Sequence, residues 1–227
     1  MKEVIKMGEM IQIFDANMHP IGVVERDVAH THGFFHQCTH FWLIHEVDGV
    51  AHLLFSRRSA DKPTYPNLLC PTASGHIPDG ESWKTCLELK EEIGISMPAE
   101  SLVPLGVHVH IENRNGLINN EFVYSFMGML PCPLESIQFP DKEVEAIVLI
   151  SIADCLELFG RRTEQVQTLQ YHPSRPGLAS VKASLNDFVP DARTPDAHYY
   201  KMALYAQLYT RGNDVAIPFP LEKSIFK

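Results

Sequence analysis

The chain has 227 residues, of which 45% are hydrophobic and 21% are charged, values ordinary for a folded globular protein. Its formal net charge of -9 argues against a general electrostatic attraction to nucleic acid or anionic lipid, so we expect neither as a partner. The longest apolar run lies near residues 146–153 and is far shorter than the roughly 20 residues that cross a bilayer, so we expect no membrane segment.

The cysteines and the first residues predict a compartment. The five cysteines are widely spaced and include no Cys-x-x-Cys pair: Cys38, Cys70, Cys86, Cys132 and Cys155. Such an odd, dispersed set is typical of a reducing environment. The segment Met1–Ile13 carries Glu3 and Glu9 and lacks the continuous apolar stretch of a signal peptide. We therefore expect a cytoplasmic protein.

The pattern of apolar and turn-forming residues predicts a mixture of strands and helices. In chain order, strands are predicted at residues 11–14, 21–24, 39–45, 51–56, 102–111, 121–130 and 144–151. Asp48-Gly49 predicts a tight hairpin turn between the third and fourth of these strands. Helices are predicted at residues 82–93, where Gly94 ends the helix, and at 152–159. These elements predict an α+β fold.

The composition changes after residue 163. Polar segments with Pro173, Pro176, Pro190 and Pro195 precede a predicted helix from Asp196 to about Tyr209. We therefore predict a first domain at residues 1–163 and a C-terminal extension at residues 164–227. The terminal helix carries an apolar face with Tyr199, Leu204 and Leu208, which we expect to pack against the first domain or a second subunit. In the second case the protein is a homodimer.

Three carboxylates in the predicted helix at residues 82–93 indicate a metal site. Glu88, Glu91 and Glu92 lie within roughly one quarter of the helix circumference, because residues three and four apart are neighbours. Their mutual repulsion requires either solvent or a cation, and Mg²⁺ or Mn²⁺ suits such ligands. A solvated acidic face is the alternative. Leu89 and Ile93 point away from the carboxylates toward a core.

The same segment resembles the Nudix box, whose pattern is Gly, five residues, Glu, seven residues, then Arg-Glu-aliphatic-x-Glu-Glu-x-Gly-aliphatic. The matching residues are Gly75, Glu81, Glu88, Leu89, Glu91, Glu92, Gly94 and Ile95. The resemblance covers about residues 10–160 and implies a mixed sheet between helices, with Glu88, Glu91 and Glu92 holding the metal that bridges a diphosphate. The sequence departs from the pattern in two ways. The second interval holds five residues instead of seven, and Leu87 stands at the Arg position.

Other segments of the sequence resemble isopentenyl diphosphate isomerase and its relatives. Ala29-His30, Phe35-His36, Gly75-His76 and Asn119-Asn120-Glu121 match its metal-ligand segments. The resemblance implies a separate site at His30, His36, His76 and Glu121, whose imidazoles favour Zn²⁺ or Mn²⁺ over Mg²⁺. Ser74 stands at the active-site cysteine position and Asn119 at a ligand glutamate position. Because a serine hydroxyl is too weak an acid to protonate a double bond, we favour pyrophosphohydrolysis.

The remaining site residues follow from the same resemblance. Arg57, Arg58 and Lys62 follow a predicted strand, as do the diphosphate-binding residues of the isomerase, and with Gly75 they form the predicted substrate-binding set. A solvated basic turn is the alternative. Glu143 or Glu145 lies where some family members place a general base, so the predicted catalytic carboxylates are Glu91, Glu92 and Glu143. His108 and His110 share one strand face, and we expect packing or exposure there rather than catalysis.

The sequence thus predicts a Nudix-type hydrolase that cleaves a diphosphate linkage in a nucleotide or another small diphosphate compound. One alternative is a Nudix-fold protein that binds a ligand and cleaves it weakly or not at all, which Leu87 and the shortened box favour. The other is an isomerase-like enzyme, which Ser74 disfavours. If the chain is a hydrolase, inserting two residues after Thr85 together with Leu87→Arg is expected to raise the rate of diphosphate hydrolysis.

Overall fold

A computed structural model describes residues 8–114, 117–194 and 197–217. The strands are β1 (Met10–Phe14), β2 (Pro20–Glu25), β3 (Phe35–Val47), β4 (Val50–Arg58), β5 (Leu69–Cys70), β6 (Ala73–His76), β7 (Val103–Arg114), β8 (Leu117–Met129), β9 (Val144–Ser151), β10 (Gln165–Tyr171) and β11 (Ala179–Ser184). The helices are α1 (Arg26–His32), α2 (Leu87–Ile93), α3 (Ile152–Phe159) and α4 (His198–Thr210). Met1–Met7 and the predicted helix start at Asp196, with Pro195, lie outside the described residues.

The strands form one mixed sheet. Its main path runs in the order β11, β10, β9, β4, β3, β1, β2, while β5 pairs with β4 and β6 pairs with β3. Strand β8 lies parallel to β3 and antiparallel to β7. Because β3 lies between β6 and β8 over part of its length, it carries side chains that meet residues from two distant parts of the chain. The predicted α+β class is confirmed.

The sheet has a hydrophobic core on each face. Along β3, Phe41 and Leu43 belong to the core that also contains Leu89 and Ile93 of α2. The alternate residues of β3, beginning with Trp42, belong to the core formed with α3 and α4. The sheet therefore lies between helices, as the resemblance implied. Among the described residues, no helix has the length and apolarity that a membrane crossing requires.

Two local predictions are confirmed by backbone geometry. Asp48 and Gly49 both have positive φ angles, of 51° and 77°, which is the conformation that a tight turn between two twisted strands requires. They join β3 to β4 as predicted. Helix α3 occupies the predicted residues, and the Ser151 side chain caps it by accepting a hydrogen bond from the Asp154 N–H.

The predicted helix at residues 82–93 is wrong at its start. Trp83–Thr85 forms a short 3₁₀ turn, which Ser82 caps by accepting a hydrogen bond from the Lys84 N–H. Cys86 then adopts a left-handed conformation with φ of 48°, and α2 begins at Leu87. An α-helix cannot continue through a left-handed residue, so the chain turns at Cys86. The five-residue interval is accommodated by this turn.

The C-terminal extension contains two strands that the sequence analysis missed. β10 pairs with β9, and β11 pairs with β10, so the extension continues the sheet of the first domain. The domain boundary at residue 163 stays a prediction. On the predicted packing face of the last helix, Tyr199 is 1% exposed, and Met202 lies with it in the core. Leu204 and Leu208 are 36% and 41% exposed, so their packing against a second subunit stays a prediction.

Candidate functional site

A cavity of about 750 Å³ opens beside α2, β3 and the residues that precede α4. Its described wall contains ten carboxylate side chains but three from Lys or Arg: Arg26, Arg58 and Lys62. Such an excess of negative charge repels an anionic ligand unless cations accompany it. The cavity is therefore suited to binding cations, or anions together with cations.

Helix α2 supplies the first group of carboxylates, Glu88, Glu91 and Glu92, which we call the carboxylate cluster. All three line the cavity. Leu89 and Ile93 are fully buried on the opposite side of the helix and fix its orientation. Glu92 is itself 6% exposed and accepts a hydrogen bond from the Ser74 N–H at 3.2 Å. The structure thus brings together the three carboxylates that the sequence assigned to a metal.

Gly75 lies directly against the carboxylate cluster. A Cβ atom built on Gly75 would lie 2.4 Å from the carboxyl carbon of Glu88, which is well inside van der Waals contact. The absence of a side chain at residue 75 therefore leaves room for the Glu88 carboxylate. This is a positional role for Gly75, predicted above as part of the substrate-binding set.

The carboxylate cluster is electrostatically strained without a cation. Burial, followed by the charges of Glu91 and Glu9, raises the pKa of Glu88 to about 8. Burial and the charge of Glu88 raise the pKa of Glu92 well above its ordinary value, although the Ser74 N–H partly opposes this. A divalent cation would relieve both effects, because it stabilises the ionised carboxylates.

The predicted basic residues do not all reach the cavity. Arg58 and Lys62 are in its wall. Arg58 donates through Nε to the carbonyl oxygen of Thr64 at 3.0 Å, and Lys62 donates to the carboxylate of Glu143. Arg57 is not among the residues that line the cavity, and its guanidinium donates to the carbonyl oxygen of Asn67. Arg57 is therefore separated from the other predicted substrate-binding residues.

The four residues matched to the isomerase ligands form the first histidine cluster, His30, His36, His76 and Glu121. One ligand atom from each imidazole lies within 4.8 Å of the others. Glu121 Oε1 is 3.8 Å from His36 Nε2 and 3.7 Å from His76 Nε2. The sheet register explains the proximity, because His36 is directly opposite Glu121 in the parallel pair of β3 and β8.

The hydrogen bonds of His36 and His76 bear on metal binding. His36 Nδ1 donates to the carbonyl oxygen of Phe34 at 3.0 Å, since a carbonyl can only accept, and this leaves the Nε2 lone pair available. Arg26 Nε donates to His76 Nδ1 at 3.1 Å, which places the proton of neutral His76 on Nε2. Coordination through that atom therefore requires Arg26 to move. Both Nε2 atoms are buried and have no hydrogen-bond partner among the described residues.

The imidazoles also control the ionisation of Glu121. Burial alone would raise its pKa, but His36 and His76 together lower the pKa well below the ordinary range. Burial lowers the pKa of His76 to about 3, and burial with the charge of His36 lowers that of His30. The cluster therefore presents neutral imidazoles at His30 and His76 and an ionised carboxylate at Glu121, which is the state that metal ligands need.

The carboxylate cluster and the first histidine cluster adjoin. Cys38 lines the same cavity, and the charges of Glu121, Glu88 and Glu92 add to burial in raising the pKa of its thiol. Asn119, which stands where the isomerase has a ligand glutamate, also lines the cavity. Cations at the two clusters would share one cavity and could contact one substrate.

The shortened box affects two positions, Glu81 and Leu87, and their surroundings in the fold differ. Glu81 is exposed and is not among the residues that line the cavity. Leu87 begins α2 immediately after the left-handed Cys86. The two-residue insertion proposed after Thr85 would therefore enter the chain at an existing break between the 3₁₀ turn and the helix.

Sequence reasoning missed a further cluster of possible metal ligands, His40, His108, Asp191 and His198. His108 and His110 were expected to pack or to be exposed, but His108 joins this cluster and His110 lines the cavity. The shared face of His108 and His110 was the available signal. Their partners could not be found by spacing, because they come from other strands and from the extension.

Comparisons with known proteins find Nudix hydrolases and isopentenyl-diphosphate isomerases among the proteins similar to this chain. A scan against models of protein families finds no match. An uncharacterised Nudix hydrolase of Clostridium acetobutylicum is 27% identical over 202 residues, which span 87% of this chain and 96% of that protein. The isopentenyl-diphosphate Delta-isomerase of Ruegeria pomeroyi is 30% identical over 145 residues, which span 61% of this chain and 74% of that enzyme. The solved structure of DR0079 from Deinococcus radiodurans superposes with a TM-score of 0.50 at 17% identity, over 67% of this chain and 90% of that one, and shows a shared fold.

Proposed function

Because the chain belongs to the Nudix superfamily, we propose that it is a hydrolase that cleaves a diphosphate linkage with the help of a divalent cation. The substrate class is a nucleotide or another small diphosphate compound. The observation that carries the proposal is the carboxylate cluster in the wall of an acidic cavity, where burial raises the pKa of Glu88 to about 8. A cavity with this charge accepts a diphosphate when Mg²⁺ or Mn²⁺ accompanies it.

The residues present fit such a cation. Glu88, Glu91 and Glu92 would hold Mg²⁺ or Mn²⁺, and the first histidine cluster would hold Zn²⁺ or Mn²⁺. A cation at the carboxylate cluster would neutralise phosphate charge and increase the acidity of water. Arg58 and Lys62, the proposed phosphate-binding residues, lie in the same wall. The salt bridge to Glu143 holds the Lys62 ammonium group in position.

Two carboxylates compete for the role of general base. Burial raises the pKa of Glu92 well above its ordinary value, which makes its ionised form a strong proton acceptor. The Glu143 carboxylate is instead engaged in a salt bridge with the ammonium group of Lys62. We therefore assign proton acceptance to Glu92 and the positioning of Lys62 to Glu143.

A screen of diphosphate compounds with Mg²⁺ or Mn²⁺ tests the activity, with phosphate release as the measurement. Glu91→Gln should remove metal-dependent release, and Glu46→Gln is the matched control because Glu46 is exposed and is not among the cavity-lining residues. Equal release from wild type and Glu91→Gln would show that the activity comes from elsewhere. Tight binding of a diphosphate compound without release would favour the binding protein instead.

A comparison of Glu92→Gln with Glu143→Gln tests the assigned roles. Loss of a general base typically costs about 10²- to 10⁴-fold in rate, so Glu92→Gln should lower kcat within that range. Glu143→Gln should chiefly raise KM, since Lys62 loses its partner. The opposite pattern, with kcat lost in Glu143→Gln, would transfer the base to Glu143.

A further inference from the structure

Four side chains from distant parts of the chain meet beside the cavity, and we call them the second histidine cluster. His40 is on β3, His108 is on β7, Asp191 follows β11 in a 3₁₀ turn, and His198 is the first residue of α4. One ligand atom from each lies within 4.8 Å of all the others. The rings of His108 and His198 are especially close, with centroids 3.8 Å apart.

The imidazoles of this cluster are suited to metal binding. His198 is 4% exposed, and the Nδ1 atom of His40 is buried with no hydrogen-bond partner among the described residues. Burial and the neighbouring His108 lower the pKa of His40 to about 4, and the same two causes lower that of His198 well below its ordinary value. Both imidazoles are therefore neutral at neutral pH, as a metal requires.

Asp191 completes the donor set. Burial alone would raise its pKa, but the hydrogen bond and charge of His110 lower it to about 2. His110 Nδ1 lies 3.3 Å from Asp191 Oδ1, so His110 orients the carboxylate. A hydrogen-bonded partner of this kind commonly fixes the orientation of a metal ligand.

We propose that His40, His108, His198 and Asp191 form a binding site for a transition metal ion of the Zn²⁺ type. Three imidazoles and one carboxylate match the ligands and the coordination number that Zn²⁺ prefers. Tetrahedral bonds of about 2.0–2.1 Å place ligand atoms roughly 3.3 Å apart, so each distance between ligand atoms shortens by up to about 1.5 Å when an ion binds. Such a contraction is within reach of side-chain rotation.

This site is separate from the first histidine cluster. His36 and His40 project from the same side of β3, because they are four residues apart. A rise of about 3.3 Å per residue separates their Cα atoms by about 13 Å. One ion cannot contact both clusters, so they are two distinct sites.

The bound ion would join the extension to the first domain. Asp191 and His198 come from the extension, whereas His40 and His108 lie on strands of the predicted first domain. Asp191 and His40 also line the cavity. The ion therefore links the start of α4 to the sheet at the cavity wall.

Counting bound zinc tests the proposal. Purified full-length protein is loaded with Zn²⁺, passed through a desalting column, and analysed for zinc per chain by mass spectrometry. Asp191→Asn and His108→Asn should each lower the wild-type value by one equivalent. His45→Asn should leave it unchanged, because His45 is on β3 but belongs to neither cluster. An unchanged value in both cluster variants would overturn the proposal.

A second measurement isolates the site without depending on those variants. In the double variant His36→Asn and His76→Asn, the first histidine cluster is removed, and Co²⁺ titration should still produce visible absorption bands of a four-coordinate ion. Adding one equivalent of Zn²⁺ should abolish these bands. If the double variant has the wild-type circular dichroism spectrum and gives no such bands, the second site does not exist. This conclusion does not depend on whether the first histidine cluster binds a metal.

Discussion

The carboxylate cluster and the first histidine cluster share one cavity, yet their buried carboxylates differ in charge. The pKa of Glu88 is raised to about 8 and that of Glu92 is raised well above its ordinary value, whereas that of Glu121 is lowered. Glu92 and Glu121 are both buried, with 6% and 8% of their surface exposed, so burial does not explain the difference. The neighbours explain it, because Glu88 and Glu92 face other carboxylates while Glu121 faces His36 and His76.

This contrast teaches that the two clusters need a cation to different degrees. The carboxylate cluster can be fully ionised at neutral pH only when a cation compensates its charge. The first histidine cluster already contains an ionised carboxylate stabilised by imidazoles. The carboxylate cluster should therefore dominate the dependence of activity on added metal, and the following experiments test that difference.

The largest expected effect is on turnover. Glu88→Gln should lower Mg²⁺-dependent kcat by about a thousandfold, because metal-based charge stabilisation contributes several kcal/mol. His36→Asn should have a smaller effect under the same conditions, since it leaves the carboxylate cluster intact. Phosphate release over a range of Mg²⁺ concentrations measures both. A greater loss in His36→Asn would reverse the comparison.

The next largest effect is on stability. It tests the packing of α4, the helix that carries His198 of the second histidine cluster. Tyr199 packs edge-on against Trp42 with ring centroids 4.9 Å apart and is 1% exposed. Tyr199→Ala should lower the free energy of unfolding by about 3–5 kcal/mol, whereas Leu208→Ala should change it by about 0.5 kcal/mol or less. Urea unfolding measures both. Equal effects would return Leu208 to the packing face that the sequence analysis had predicted.

A third effect is the pH dependence of stability in metal-free protein. The pKa of Glu88 is raised from its ordinary value of 4.5 to about 8 on folding. The stability it contributes is thus fully present below pH 4.5 and is lost as the pH rises toward 8. Glu88→Gln cannot ionise, so it should exceed wild type by roughly 2 kcal/mol at pH 8. The two proteins should agree closely at pH 4.5.

Added Mg²⁺ supplies the control for this experiment. Wild type should recover stability at pH 8 when the ion binds, while Glu88→Gln should gain less. Thermal unfolding with and without Mg²⁺ provides the measurement. A constant difference between the two proteins at all pH values would mean that Glu88 is ionised throughout, contrary to the strained arrangement described above.

The smallest expected effect is on metal affinity. Gly75→Ala places a Cβ atom against the Glu88 carboxylate and should displace that side chain, which weakens Mg²⁺ binding by about tenfold. Gly22→Ala is the matched control, because a Cβ there would meet Ile13 at an ordinary distance of 3.8 Å. Isothermal titration with Mg²⁺ distinguishes them. Unaltered affinity in Gly75→Ala would show that Glu88 is not a ligand.

The parts of the site that sequence could predict are those with local spacing or a motif. Glu88, Glu91 and Glu92 are close in the chain, so helix geometry alone places them together. His30, His36 and His76 were found because their segments matched a known family. His40 and His198 have neither property, and only the tertiary arrangement of β3 and α4 brings them together.

The fold was predictable to a similar extent. Runs of strand-forming residues on either side of Asp48-Gly49 identified β3 and β4, and Gly94 identified the end of α2. Strand β10 was missed because its sequence, QVQTLQY, is largely polar, although Val166 and Thr168 are buried. The break at Cys86 was also missed, because a left-handed cysteine has no local sequence signal of the kind that glycine provides.

The parallel pairing of β3 with β8 also affects the order in which the protein folds. It places His36 opposite Glu121, although a large part of the chain, including β4, β6, α2 and β7, lies between them. Contacts between such distant residues form slowly, because a long loop must close before they stabilise the chain. During synthesis, β3 must wait for β8 to leave the ribosome, so the first histidine cluster is assembled after the carboxylate cluster has been synthesised. The growing chain therefore contains the acidic segment before it contains the complete histidine site.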